Sequence, residues 1–253
     1  MRFIKDMATK LVEHADRRLN WDGLINAREL GGYVTREGRV TRWKSLVRTD
    51  DLVFLSDDGR AALRAYGIRT IVDLRYPREL DAHPSPFAGQ PHFHHLSLLD
   101  EAHREEEDRV FAVSRLQWHL LVFDKRVEKM AAVMRTLAQA PEGGALFHCH
   151  AGKDRTGIVA ALLLDLAGVP HDVIAGDYSL SNEYLKPRHD EWLTRVPEDK
   201  REWALGLMVC PPDVMLAALN HLQSRYGGTA GYLQSIGLHK DEVDALRRRI
   251  VED

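Results

Sequence analysis

Cysteine is scarce in this chain: 253 residues contain two, Cys149 and Cys210. Two thiols cannot build the disulfide framework of a small secreted domain. The expected setting is therefore reducing and cytoplasmic, where Cys149 stays a free thiol. Long apolar runs are missing too. No stretch approaches the ~20 apolar residues that span a bilayer, and Met1-Arg-Phe-Ile-Lys-Asp-Met-Ala lacks the apolar centre of a signal peptide. Integral membrane association is not expected, although secretion without such a leader stays open. An excess of one charge is also lacking. A net charge of -3 gives no reason to expect nucleic-acid binding. No repeat, low-complexity tract or linker divides the chain, so residues 1–253 are expected to form one domain.

What is present is ordinary for a soluble globular chain: 44% hydrophobic and 29% charged residues, enough to bury a sizeable core. Phe3, Ile4, Met7, Leu11, Val12, Ala15 and Leu19 fall near helical spacing and predict an amphipathic N-terminal helix. Paired glycines at 31 and 32, and Gly38, predict short strands and a turn between Leu24 and Arg42, with a further strand over Trp43–Thr49. Ser56 or Asp57 is placed to cap a helix that Gly67 ends. The β-branched run Ile68–Leu74 predicts a buried strand with Asp73 near its C-terminal end, where ligand sites gather in open α/β sheets. His92–Leu98 predicts another short strand. Residues 100–123 predict a helical excursion that could cover a site, with the Glu105–Asp108 run as its solvated face. Val127, Met130, Ala131, Met134, Leu137 and Ala138 form one apolar helical stripe. A helix-rich C-terminal part follows, at about 172–181, 188–195, 212–226 and 239–251. The pattern predicts an α/β fold with a central, mostly parallel sheet flanked by helices.

One stretch concentrates the chemistry: Ala145-Leu-Phe-His-Cys-His-Ala-Gly-Lys-Asp-Arg-Thr-Gly157. It predicts an apolar strand, a tight Cys-x5-Arg loop and a buried helix. A thiolate is the nucleophilic form of cysteine, and backbone N–H groups at a helix N-terminus favour an anion there. Those features suit attack by Cys149 on a phosphate ester. The amides of His150, Ala151 and Gly152 would surround the phosphate, and Gly152 permits close backbone approach. Arg155 offers a planar fork for two phosphate oxygens. Thr156 can donate a hydroxyl hydrogen bond to the thiolate, and Lys153 adds positive charge at the rim. His148 is expected to brace the loop. Such chemistry needs no cofactor. His92, His94 and His95 lack a companion ligand cluster, so no metal is assigned, and Cys210 is expected to be a small buried hydrophobe.

A leaving-group acid is still required, and two aspartates compete for the role. Asp154 lies in the loop itself, while Asp73 ends a neighbouring strand and could instead pair with Arg75. Asp154 is favoured because the loop guarantees its place beside the phosphate, but the choice stays open.

His148-Cys-His-Ala-Gly-Lys-Asp-Arg-Thr-Gly157 resembles the signature loop of cysteine-dependent protein tyrosine phosphatases. Its Gly-Lys-Asp-Arg-Thr-Gly variant is similar to a bacterial and fungal group that also acts on phosphoserine, phosphothreonine and phosphoinositides. Asn26-Ala-Arg-Glu-Leu-Gly-Gly-Tyr33, Val47-Arg-Thr-Asp50, Ile71-Val-Asp-Leu-Arg75 with Glu79, and Asp177-Tyr-Ser-Leu-Ser181 agree with that group. The resemblance spans roughly residues 24–240 and departs from the usual pattern at Ala27-Arg-Glu. It implies the tyrosine-phosphatase fold, a phosphocysteine intermediate on Cys149, and phosphate held by Arg155 and the loop amides. It further implies roles for Lys153 and Asp154, and a helical lid at about 100–123. The expected partner is a phosphorylated protein, with a phosphoinositide as the alternative. Phosphate and other oxyanions are expected to inhibit by occupying the loop. A phosphate-binding module without activity is the remaining alternative, against which four reactive residues in one place argue.

Overall fold

Alternation of side chains along three strands builds the centre of the molecule. The computed structural model describes residues 17–251, so the N-terminal helix expected over residues 3–19 lies, but for its last residues, outside them. The described elements are β1 (Arg28–Glu29), β2 (Leu46–Thr49), α1 (Asp57–Tyr66), β3 (Ile68–Asp73), α2 (Pro77–Ala82), β4 (Phe93–His95), α3 (Arg104–Val113), α4 (Arg115–Lys125), α5 (Val127–Gln139) and β5 (Gly144–His148). After them come α6 (Asp154–Leu166), α7 (His171–Tyr184), α8 (Lys186–Leu193), α9 (Arg201–Met208), α10 (Pro212–Tyr226), α11 (Thr229–Ser235) and α12 (Lys240–Ile250). Leu46, Val72, Ala145 and Phe147 face one apolar layer, which holds α5, α6, α7 and α10. Val47, Ile71 and Leu146 face the other, with Trp21, Leu24, Leu52, Leu63 and Phe87. Successive strand residues point to opposite faces, so covering both faces demands the continuous apolar runs seen in the sequence.

The sheet order is β1-β2-β5-β3-β4. β2, β5, β3 and β4 run parallel, and β1 pairs antiparallel with β2 at the edge. The mostly parallel α/β sheet flanked by helices is thus as expected. With β5 central, its C-terminal end opens onto Cys149, and Thr49 and Asp73 pair with His148 on either side. Ligand crevices form at this end of a parallel sheet.

Several local expectations are corrected. The strand expected from Trp43 starts only at Leu46, because Lys44 takes a left-handed φ of 58° in the turn before it. Val34 and Val40 form a single antiparallel bridge where two strands were expected. Ser56, not Asp57, caps α1, accepting a hydrogen bond from the Gly59 amide at 3.1 Å. The excursion at 100–123 is two helices broken at Ser114, whose hydroxyl caps the second. Its acidic run is not wholly solvated. Glu107 is fully buried, accepting hydrogen bonds from the Tyr76 hydroxyl at 2.6 Å, the Asp100 amide and the Arg126 guanidinium. The helix expected from Gly157 begins three residues earlier, so Asp154 and Arg155 sit on its first turn. Two C-terminal helices, α9 and α11, were not expected.

Candidate active site

The loop between β5 and α6 is held from behind by its carbonyl groups. The Asp51 amide donates to His150 O at 3.0 Å. Asn26 Nδ2 donates to Ala151 O at 2.9 Å and to Gly152 O at 3.2 Å. Arg48 Nη2 donates to Gly152 O at 2.8 Å and to Lys153 O at 3.3 Å. A peptide unit whose carbonyl is tied outward turns its N–H the other way. Among the described residues, the N–H groups of His150 to Arg155 meet no protein acceptor. They form a concave ring of donors around Cys149, continuous with the N-terminus of α6. Gly152 is the tightest point, with φ 68° and room for no Cβ: one would lie 2.4 Å from Thr49 O.

The cations behind the loop are themselves anchored. Asp177 on α7 accepts from Arg28 Nε at 2.8 Å, Arg48 Nη1 at 2.5 Å and the Tyr33 hydroxyl at 2.9 Å, all fully buried. Burial works against the Asp177 carboxylate, but Arg28 and Arg48 outweigh it and hold the group well below the usual carboxylate range. Asp50 takes the amides of Ile25 and Asn26 and an ion pair from Arg188 at 3.0 Å. In the sequence Asn26, Arg48 and Asp177 fall within stretches that resemble the family, with no role assigned to them there. An arginine inside a parallel strand, and an aspartate inside an apolar helix, were the signals available.

On the front of the loop, Cys149 Sγ accepts from Thr156 Oγ1 at 3.1 Å and is 2% exposed. Arg155 makes a two-pronged ion pair with Glu79 on α2, at 2.5 and 3.0 Å. Burial opposes the Arg155 charge, and Cys149 and Glu79 more than restore it, so its guanidinium stays charged. Lys153 Nζ is held by the carbonyls of Leu207 and Met208 at the end of α9, and lies 3.5 Å from Asp154 Oδ2. His148 is buried, with Nδ1 3.2 Å from Cys149 O.

The two candidate acids occupy different settings. Asp154 Oδ1 accepts from the Tyr178 hydroxyl at 2.8 Å, and Oδ2 from Arg115 Nη1 at 2.7 Å. Burial pushes this carboxyl up, but Lys153, Arg115 and His119 outweigh it and bring it to about 2. Asp73 is fully buried and turned from the cavity, chelating Arg75 through both oxygens at 2.7–3.0 Å. Burial raises Asp73 too, yet His148 and Arg75 hold it below its ordinary value. Arg75 in turn bonds Asp51 at 2.9 Å.

A cavity of about 280 Å³ opens over the loop, walled by Tyr76, Glu79, Phe111, Trp118, Cys149, Lys153, Asp154 and Arg155 among others, but not by Asp73. Phe111 and Trp118 belong to α3 and α4, so both helices of the excursion contribute to the cavity wall. Among the described residues, no group of three or more His, Cys, Asp or Glu is arranged to hold a metal ion. His95 Nε2 lies 2.9 Å from Arg75 O instead. Among the described residues, no single helix is long and apolar enough to cross a membrane. The arrangement gathers free loop amides, Cys149 Sγ, the Arg155 fork and Asp154 around one cavity, a set able to receive a tetrahedral oxyanion.

Residues 19–252 match the tyrosine phosphatase family. The chain is 34% identical over 217 residues to a tyrosine-protein phosphatase of Nostoc commune, covering 81% of this chain and 74% of the relative. It is 29% identical over 270 aligned positions to the triple specificity protein phosphatase PtpB of Mycobacterium tuberculosis, covering 89% of this chain and 96% of the relative.

Proposed function

The chain belongs to the tyrosine phosphatase family, and from that premise we propose how its residues divide the work of hydrolysing a phosphate monoester. The protein is a cysteine-dependent tyrosine phosphatase, a phosphoric monoester hydrolase acting on phosphorylated substrates. The single observation that carries the division of roles is the seat of Cys149. It lies beneath a ring of free amides, bonded by Thr156 and flanked by Arg155.

Cys149 attacks phosphorus as a thiolate, with the Thr156 hydroxyl stabilising it before attack. The amides of residues 150–155 take the equatorial oxygens, whose charge they meet without reorganising. Arg155 binds two of them, and Glu79 fixes the plane of its fork beforehand. Lys153 adds charge at the rim but is tied to α9. Asp154 protonates the leaving oxygen, then takes a proton from the water that hydrolyses the phosphocysteine. Asp73 is a structural carboxylate that orients Arg75 and, through it, Asp51 behind the loop. Phosphotyrosyl protein is the proposed main substrate. Phosphoserine and phosphothreonine fall within reach because the acid travels with the loop, and the mycobacterial relative is named a triple specificity phosphatase. Inorganic phosphate and similar oxyanions should compete for the donor ring.

Rapid acid quench during turnover of a phosphotyrosyl peptide tests this directly. The Cys149 peptide should carry one phosphate, and Cys149→Ser should release none. Turnover persisting in Cys149→Ser would contradict the proposal.

A further inference from the structure

Two oxygens of one carboxylate are held by two different parts of the molecule. Asp154 Oδ1 is bonded by Tyr178, a buried residue of α7 in the core layer. Asp154 Oδ2 is bonded by Arg115, the first residue of α4, which belongs to the cover over the cavity. We propose that Arg115 is a positioning residue standing where the leaving group will lie: it holds Oδ2 as a carboxylate while the cover is seated, and gives it up when the cover lifts. The proposal rests on Asp154 as the proton donor.

Arg115 is built as a clamp. Its Nη1 donates to Asp154, and its Nη2 donates to Leu207 O at 3.0 Å at the end of α9. Its guanidinium lies 3.8 Å over the Phe111 ring of α3. One side chain thus joins α3, α4, α9 and the first turn of α6. The same Leu207 carbonyl also takes Lys153, so loop and cover are fastened at one point.

The groups facing Asp154 are Lys153 from its own loop, Arg115 and His119 from α4, Tyr178 from α7, and Cys210 just before α10. His119 is fully buried, and among the described residues neither ring nitrogen finds a hydrogen-bond partner. Burial brings this imidazole down to about 4, so it is neutral near pH 7 and cannot stand in for Arg115. Burial and Asp154 push the Cys210 thiol up to about 11, so it is neutral as well. Near pH 7 the cations beside this carboxylate among the described residues are Lys153 and Arg115, and the second is carried by α4.

Cys149 is 2% exposed, at the floor of the cavity that Phe111 and Trp118 help to wall. In the proposed sequence of steps a phosphorylated side chain entering this cavity displaces the start of α4, and Arg115 and His119, one turn apart, leave Asp154 together. Asp154 then loses a cation just as a phosphate anion arrives, and both changes favour the protonated carboxyl. In the chemical step the S–P bond forms and the P–O bond breaks. The leaving oxygen keeps that electron pair and takes the proton from Oδ2. Tyr178 stays on Oδ1 throughout and fixes the direction of transfer.

The test uses Arg115→Ala, Arg115→Lys, Asp154→Asn and the double variant Arg115→Ala/Asp154→Asn. The limiting rate of Cys149 alkylation by iodoacetamide at high pH reports opening without turnover. It should rise about ten-fold in Arg115→Ala, because local opening of α4 then no longer has to break the Arg115 contacts at the cavity edge. Asp154→Asn should match it, the double variant should add nothing, and Arg115→Lys should restore much of the protection. In Arg115→Ala the free enzyme no longer holds Oδ2 as a carboxylate, so kcat/KM should rise relative to kcat, and that split should vanish in the Asp154→Asn background. No such split, unchanged alkylation, or additive effects in the double variant would overturn the proposal. Should Asp154→Asn keep wild-type rates on the poorest leaving groups, the acid assignment fails, and the alkylation cycle still reads the clamp separately.

Discussion

The loop between β5 and α6 has a back and a front, each built from arginine–carboxylate pairs, and the two are built differently. Behind it, Arg28 on β1 and Arg48 on β2 meet on Asp177 of α7, all three fully buried. In front, Arg155 meets Glu79 and Arg115 meets Asp154, with Arg155, Glu79, Arg115 and Asp154 all facing the cavity or its cover. The back pairs can turn only carbonyls, so they shape the donor ring without touching substrate. The front pairs use charges that the substrate will want. A buried pair with no exchange partner is a fixture; a pair at a cavity wall is a reservation that phosphate can claim. Similar chemistry serves permanence on one side and replacement on the other.

That contrast can be broken, and the largest effect should come from the back. Asp177→Ala leaves two guanidinium groups buried without a counter-charge, and should cost about 3–5 kcal/mol of unfolding free energy. Urea denaturation checks it; a cost near that of a surface change would erase the distinction. Gly152→Ala should come next, at about 1–3 kcal/mol, because the residue must keep φ 68° with a Cβ against Thr49 O. Its phosphate affinity should fall with its stability. Glu79→Gln should behave in the opposite way, with little change in urea midpoint and a loss of about 10- to 100-fold in kcat/KM from a misaligned Arg155. Steady-state rates on a phosphotyrosyl peptide decide it.

The smallest effect is on acid stability. Asp177 is depressed in the folded state, so its contribution is complete above the unfolded carboxylate value of ~3.9 and is lost as pH falls below it. The urea midpoint of the wild type should therefore drop on going from about pH 5 to pH 3. The same interval should show a shallower drop in Asp177→Asn. Equal slopes would mean that the back pairs do not govern acid unfolding.

Much of this was legible in the sequence, for definable reasons. Strand β5 and helix α6 declared themselves through unbroken apolar runs, because elements buried on all sides leave no room for polar periodicity. Cys149 and Arg155 were legible because the chemistry needs them at a fixed separation on one loop. Glu107 was misread because a helical acid looks solvated until its partners, Tyr76 and Arg126, are brought near by the fold. Arg115 was illegible for a related reason. Nothing near residue 115 indicates that Asp154, 39 positions away, is its partner. Asp73 looked like an acid from its place at a strand end. Pairing with Arg75, two residues on, is equally compatible with the sequence, and only the geometry favours it.

The central claim is that the loop carries its own acid, and a leaving-group series tests it most directly. Values of kcat/KM would be measured for wild type, Asp154→Asn and Asp73→Asn on aryl phosphates whose phenols span a range of pKa. A donated proton flattens the dependence on phenol pKa, and a lost donor typically costs about 10²- to 10⁴-fold, most with the poorest leaving group. Slopes within one variant do not depend on how much of it is folded. The account predicts a nearly flat line for wild type and Asp73→Asn, and a steep one for Asp154→Asn. A steep line for Asp73→Asn beside a flat one for Asp154→Asn would contradict it.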